Sequence, residues 1–152
     1  VALLLAAVAS AGCGGPETPA SLARLQVVTV GAGAGELRLA VAEDHRLGLA
    51  DIDDLGDLDG MLFDLGREVE PAGHPFWMAG VRFPLEFVFV AADGRIVDRV
   101  VLAVCPERTG CPRHVAAAPF RWVVEVPPGT LGGVDRIAVP AVPTSFVPSS
   151  VR

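Results

Sequence analysis

The sequence predicts a mainly β domain, a compact antiparallel β-sandwich or small barrel with at most one or two short helical turns. Leu85–Val90 and Ile96–Val104 carry apolar residues with the period of two that is typical of strands. The Asp93-Gly94 pair between them is typical of a tight hairpin turn. The 17 glycines and 13 prolines divide the rest of the chain into short segments, which favours many short strands over long helices.

Four further segments are predicted strands because they are rich in apolar and β-branched residues: Leu25–Val30, Glu36–Ala42, Arg121–Val126 and Val134–Val139. The glycine-rich stretch 31–35 predicts that the first two form a hairpin or neighbouring strands. A phosphate-binding loop is not favoured at these glycines, because no Gly-Lys-Ser or Gly-Lys-Thr follows them. A short helical turn is predicted at Arg46–Leu49.

The chain has 152 residues, which predicts one domain, and we place it at residues 23–139. Residues 1–12 are predicted to be a signal peptide, since the apolar run at their start is shorter than the roughly 20 residues that span a bilayer. Small residues precede Cys13, as in a lipobox, so we expect a lipid on Cys13 and a flexible tether over residues 13–22. Residues 140–152 form a predicted Pro/Ser-rich tail. The alternative is a buried amino-terminal strand or helix with Cys13 in the core.

Composition and charge restrict the function. The net charge of −6 argues against a nucleic-acid partner, because phosphate contacts need clustered basic residues. The sequence contains no lysine, tyrosine or asparagine, and no serine between Ser21 and Thr144. A serine triad, a lysine Schiff base and a tyrosine nucleophile are therefore excluded from the domain. We predict no catalytic residue and no cofactor, and an enzyme is the less favoured class.

The two remaining cysteines, Cys105 and Cys111, form an even pair in one short loop. In an exported protein such a pair predicts a disulfide bond. The alternative is a metal site completed by Glu107 and His114, but a single pair of cysteines lacks the second ligand pair of a zinc knuckle. No metal site is predicted.

An ordered set of motifs resembles the DUF192 (UPF0127) family. These motifs are Gly60-Met61-Leu62-Phe63, Phe76-Trp77-Met78, Pro84-Leu85-Glu86-Phe87, Cys111-Pro112 and the strand 122–129 that ends in Pro127-Pro128-Gly129. The resemblance implies a single, mostly antiparallel β domain with no agreed substrate. Ala79-Gly80-Val81 stands where the family usually has Lys-Asn-Thr, and Ile52 stands where it usually has Arg. A polar contact that relatives make through those residues would be absent here.

Three residues near these motifs are candidate ligand-binding residues: His74, Trp77 and Glu86. Glu86 takes the place of the aspartate in the family motif, where a strand carboxylate could have a raised pKa. The alternatives are a surface His74, a core Trp77 and an outward-facing Glu86. The sequence thus favours a membrane-tethered extracytoplasmic module that binds a small molecule or an envelope component. A carboxylate- or metal-dependent enzyme and a partner-docking lipoprotein are the alternatives.

Overall fold

The computed structural model describes residues 17–141. The predicted signal peptide, the predicted lipidation site Cys13 and residues 142–152 lie outside them. The elements in chain order are α1 (Ala20–Ala23), β1 (Val27–Ala32), β2 (Gly35–Val41), β3 (Gly60–Val69), a 3-10 turn (Pro71–Gly73), β4 (Phe76–Trp77), β5 (Leu85–Val90), β6 (Ile96–Leu102), β7 (Arg113–His114), β8 (Phe120–Val126) and β9 (Ile137–Ala138). No helix in the described part of the chain is long and apolar enough to span a membrane.

The predicted mainly β fold is confirmed. Seven strands form one sheet in the order β6-β5-β8-β3-β2-β1-β9, which curls into a half-barrel. Strands β4 and β7 form a second, two-stranded sheet. All neighbouring strands are antiparallel except β2 and β3, which are parallel.

Both predicted hairpins form. Strand β1 pairs with β2 through a turn that contains Gly33, and β5 pairs with β6 through the turn that contains Asp93 and Gly94. Gly94 has a φ of +86°, and a Cβ atom there would lie 2.6 Å from the carbonyl oxygen of Ile137. Only glycine fits this turn. Two strands are shorter than predicted: β6 stops at Leu102, and β9 contains only Ile137–Ala138.

Strand β3 lies near the centre of the large sheet, between β2 and β8, and was not among the predicted strands. Its first four residues, Gly60 to Phe63, are all buried. Because both faces of the sheet are covered here, the segment shows no alternation of apolar and polar residues. At Gly60 a Cβ atom would lie 2.0 Å from the carbonyl oxygen of Glu125 on β8, so only glycine permits this strand contact.

Two hydrophobic cores cover the two faces of the large sheet. In the first, Phe76 of β4 packs edge-on against four phenylalanines at centroid distances of 5.5 to 6.2 Å: Phe63, Phe87, Phe89 and Phe120. This packing fixes the small sheet against the large one. The second core contains Trp122, Leu131 and Ile137 and closes the opposite face. We call these the aromatic face and the aliphatic face.

Candidate functional site

Glu125 is a fully buried carboxyl group in the middle of a hydrophobic strand. It lies on β8 between Val124 and Val126, and only 4% of its surface is exposed. The backbone N–H of Leu49 faces the carboxyl group and favours its ionised form, whereas Oε2 has no partner among the described residues. Burial raises the pKa of Glu125 to about 8, so the group is mostly protonated at neutral pH.

A small cavity lies beside this carboxyl group. Its volume is about 30 Å³, which is enough for one water-sized group. The wall is made by the turn 45–49, by side chains of the aromatic face, by Trp77 of the small sheet and by Ala79, which lies two residues after Trp77. We call it the inner cavity.

The turn above Glu125 is shaped by Gly48. Its φ is +47°, and a Cβ atom there would lie 3.1 Å from Phe63 Cζ and 3.3 Å from Glu125 Oε2. Both the backbone conformation and the lack of space favour glycine. The neighbouring His45 lies against Phe63, with ring centroids 5.6 Å apart. Burial is the main cause that lowers the pKa of His45, so its imidazole is neutral at neutral pH.

Trp77 stands between the inner cavity and a second, larger one. This outer cavity has a volume of about 350 Å³ and is lined by Trp77, Ala79, Arg108, Thr109, Gly110, Cys111 and Arg113. Trp77 and Ala79 line both cavities, which are therefore neighbours. The guanidinium of Arg113 lies 4.6 Å from the centroid of the Trp77 ring, a cation–π contact.

The loop that borders the outer cavity is closed by the predicted disulfide, which the structure contains between Cys105 and Cys111. Inside the loop, Arg108 Nη2 lies 2.6 Å from Asp51 Oδ1. Asp51 has a φ of +60°, which is uncommon for a residue other than glycine, and its N–H donates to the Gly80 carbonyl oxygen at 3.1 Å. The loop is thus tied to the chain segment that follows Trp77.

The structure does not bring His74 and Glu86 to the cavity that Trp77 lines. His74 follows the 3-10 turn and lines a separate surface depression with Glu68, Glu70 and Pro119. Glu86 points to the aliphatic face, where its Oε1 lies 3.5 Å from Arg99 Nη1 and its Oε2 accepts the Gly129 N–H at 3.2 Å. It is buried, with 6% of its surface exposed, and holds the segment after β8 against the sheet.

His114, the histidine near the cysteine loop, pairs with an aspartate and not with the metal ion considered as an alternative in the sequence. His114 Nε2 lies 2.8 Å from Asp98 Oδ2, and its ring packs on Phe89 at a centroid distance of 5.5 Å. The pair links the small sheet to β6. No group of three or more His, Cys, Asp or Glu side chains within residues 17–141 is arranged to hold a metal ion.

The structure places Glu125 in the wall of the inner cavity, whereas Glu86, the glutamate predicted as a ligand-binding residue, lines neither cavity. Glu86 and Glu125 both interrupt apolar strands, and both are buried. In the sequence, Glu125 is distinguished only as the single carboxylate within the run 122–126, on the same face of the strand as Val123. The turn that places Leu49 and Gly48 above Glu125 comes from a segment far away in sequence, which no local pattern indicates.

Comparison with known proteins agrees with the fold. A solved structure from Sinorhizobium meliloti 1021, described as a "putative transcription regulator", is 24% identical with a TM-score of 0.59, covering 74% of this chain and 93% of that one. A protein of unknown function from Novosphingobium aromaticivorans DSM 12444 is 22% identical with a TM-score of 0.58, covering 88% of this chain and 99% of that one. A search of curated proteins gave no match. The family profile of DUF192, described as "Uncharacterized ACR, COG1430", matches residues 27–135, and the chain therefore belongs to the DUF192 family.

Proposed function

We propose that this chain is a membrane-tethered extracytoplasmic module that binds a small molecule or an envelope component, and that the inner cavity beside Glu125 is its binding site. The observation that carries this proposal is the buried carboxyl of Glu125, which lines the inner cavity and has one oxygen without a hydrogen-bond partner among residues 17–141. Burying an ionisable group costs free energy, and an apolar residue of similar size would usually give a more stable fold. Perturbed carboxyl groups of this kind occur often in functional sites.

The chemistry of the inner cavity restricts what can enter it. With the Glu125 pKa raised to about 8 and the His45 pKa lowered by burial, both groups are mostly uncharged at neutral pH. A protonated carboxyl group offers one O–H donor and one carbonyl acceptor. An uncharged polar group that both donates and accepts, such as a hydroxyl or a primary amide, fits this pair and the size of the cavity.

A thermal-shift screen with small hydroxylated molecules, amides, sugars and cell-wall fragments tests the binding proposal. A ligand at a hundred times its dissociation constant stabilises the protein by about 2.7 kcal/mol. We expect a hydroxylated or amide ligand whose shift is reduced in Glu125→Gln and kept in Glu86→Gln, a matched change of the buried glutamate on the other face. Shifts of these ligands that are as large in Glu125→Gln as in the natural chain would place the site elsewhere.

The proposed location rests on the lipobox-like residues before Cys13 and on the Cys105–Cys111 disulfide, a bond typical of proteins outside the cytoplasm. Labelling of cells with a fatty acid tests it. We expect label and membrane association for the natural chain and neither for Cys13→Ser. Equal membrane association of the two proteins would reject the lipid anchor.

A carboxylate-dependent enzyme is the second candidate, because Glu125 and His45 line the same cavity. A carboxyl group with a pKa near neutrality can act as a general acid. Once a ligand is found, mass spectrometry of the ligand after incubation separates the two functions. An altered ligand with the natural chain and an unaltered one with Glu125→Gln would establish an enzyme, whereas unaltered ligand in both supports a binding module.

A further inference from the structure

We propose that the ligand carries a carboxylate group, which Arg113 binds in the outer cavity while the neighbouring part of the ligand lies along Trp77. This inference rests on the proposed function, because it assigns the chemical class of the ligand for the same site. It follows from three observations: Arg113 has no acidic partner among residues 17–141, Trp77 lies between the two cavities, and the outer cavity is large enough for a small molecule.

Arg113 is the cation available in the outer cavity. Arg108 is paired with Asp51, whereas Arg113 has no acidic partner within 4 Å among residues 17–141 and makes only the cation–π contact with Trp77. A stacked guanidinium keeps its N–H groups at the ring edge, and a planar fork of two N–H donors matches a carboxylate. The Trp77 ring fixes the orientation of that fork before any ligand binds.

The local charge favours a monoanion. Two arginines line the outer cavity. Asp51 neutralises Arg108, which leaves the single positive charge of Arg113, and one carboxylate balances it. A phosphate dianion would bring a second negative charge close to Asp51. The neutral state of Glu125 also removes a repulsion that a buried carboxylate would otherwise exert on an anionic ligand in the adjoining cavity.

The two cavities divide the ligand into two parts. The outer cavity of about 350 Å³ can hold a small organic acid, while the inner cavity accepts one polar group. Trp77 borders both. A hydroxy acid or a carbohydrate acid has this combination of a carboxylate and nearby hydroxyl groups.

Fluorescence of Trp77 provides a local readout. The chain has two tryptophans, so Trp122→Phe leaves Trp77 as the single fluorophore. The probes are matched pairs of carboxylate and amide, namely lactate with lactamide and benzoate with benzamide, together with inorganic phosphate. We expect saturable changes in Trp77 emission with the carboxylates and at least about tenfold weaker binding of the amides, the size of one charge-assisted hydrogen bond.

Substitutions in this background separate the two proposals. We expect Arg113→Gln to abolish the preference for carboxylates. Arg113→Lys should keep part of this preference, because the charge remains without the planar pair of N–H donors. The distal Arg95→Gln should keep all of it. Glu125→Gln is expected to keep the preference for carboxylate over amide while weakening lactate more than benzoate. Any of four results would overturn the carboxylate assignment: equal binding of carboxylates and amides, tighter binding of phosphate, a preference for carboxylates that survives Arg113→Gln, or no response to any probe. Retained preference with no effect of Glu125→Gln on lactate would instead reject the inner cavity alone.

Discussion

Gly48 lies directly over the carboxyl group of Glu125, and a Cβ atom at Gly48 would lie 3.3 Å from Oε2. This contact joins two segments that are far apart in the sequence, the turn after β2 and the end of β8. It also closes the inner cavity on one side. The size of the cavity and the isolation of Glu125 from water therefore depend on a residue without a side chain.

Gly48→Ala should destabilise the protein and change the environment of Glu125. The positive φ of Gly48 costs a non-glycine residue about 1 kcal/mol, and the added methyl group crowds Phe63 and Glu125. Gly66→Ala is the matched control, because Gly66 has a φ of +74° and open space where a Cβ would lie. Urea denaturation should give a larger loss for Gly48→Ala, and ligand binding should change only there. Equal losses in both variants would contradict the contact.

The stability of the protein should fall as pH rises from about 5 to 8 because of Glu125. Its pKa is raised from 4.5 to about 8 in the folded state, so over this window the unfolded chain releases a proton that the folded protein retains. The unfolding free energy then falls by up to about 1.4 kcal/mol per pH unit. Urea denaturation of Glu125→Gln at the same pH values should lack this contribution. Parallel pH profiles of the two proteins would contradict a raised pKa.

Arg99→Gln should destabilise the protein without affecting ligand binding. Arg99 is 36% exposed and faces a carboxylate that is only 8% exposed, Glu86, and it donates to the Leu131 carbonyl oxygen at 3.1 Å. Its removal leaves the buried carboxyl group of Glu86 with fewer partners. Because Arg99 is partly exposed, we expect the free energy of unfolding to fall by only about 1 to 2 kcal/mol. Arg95→Gln removes an exposed pair with Asp93 and should lower the melting temperature less, because exposed ion pairs contribute little to stability. Thermal denaturation of both variants checks the difference, and similar melting temperatures would refute the structural role of Glu86.

The Cys105–Cys111 disulfide should stabilise the loop beside the outer cavity. Closing a loop of this length contributes roughly 2 kcal/mol on the chain-entropy estimate. Reductant should therefore lower the melting temperature of the natural chain and leave that of the Cys105→Ser, Cys111→Ser double variant unchanged. The same melting temperature with and without reductant in the natural chain would show that the bond contributes nothing.

The sequence was informative where structure is local. The Asp93-Gly94 turn and the strands on each side of it were predictable because a short hairpin turn and a period-two pattern are set by neighbouring residues. Strand β3 was not, because both faces of the sheet are buried at its first four residues, where apolar and polar residues do not alternate.

The same physical reason explains the candidate site. When both faces of a sheet are buried, a carboxylate within an apolar strand does not reveal which face it occupies, so Glu86 and Glu125 look alike in the sequence. Only the turn around Gly48 and the position of Trp77 distinguish them. Trp77, predicted as a ligand-binding residue because it lies in a distinctive motif, lines both cavities, whereas His74 lines a different depression.

The most direct test of the central proposal measures the ionisation of Glu125. NMR reports it through the side-chain carboxyl carbon in protein labelled at glutamate, and Glu125→Gln assigns the signal. We predict a titration midpoint near 8 that moves when a ligand occupies the inner cavity. A midpoint near 4.5, the ordinary value for glutamate, would mean that Glu125 is solvated and charged at neutral pH, and would contradict a buried binding site at this carboxyl group.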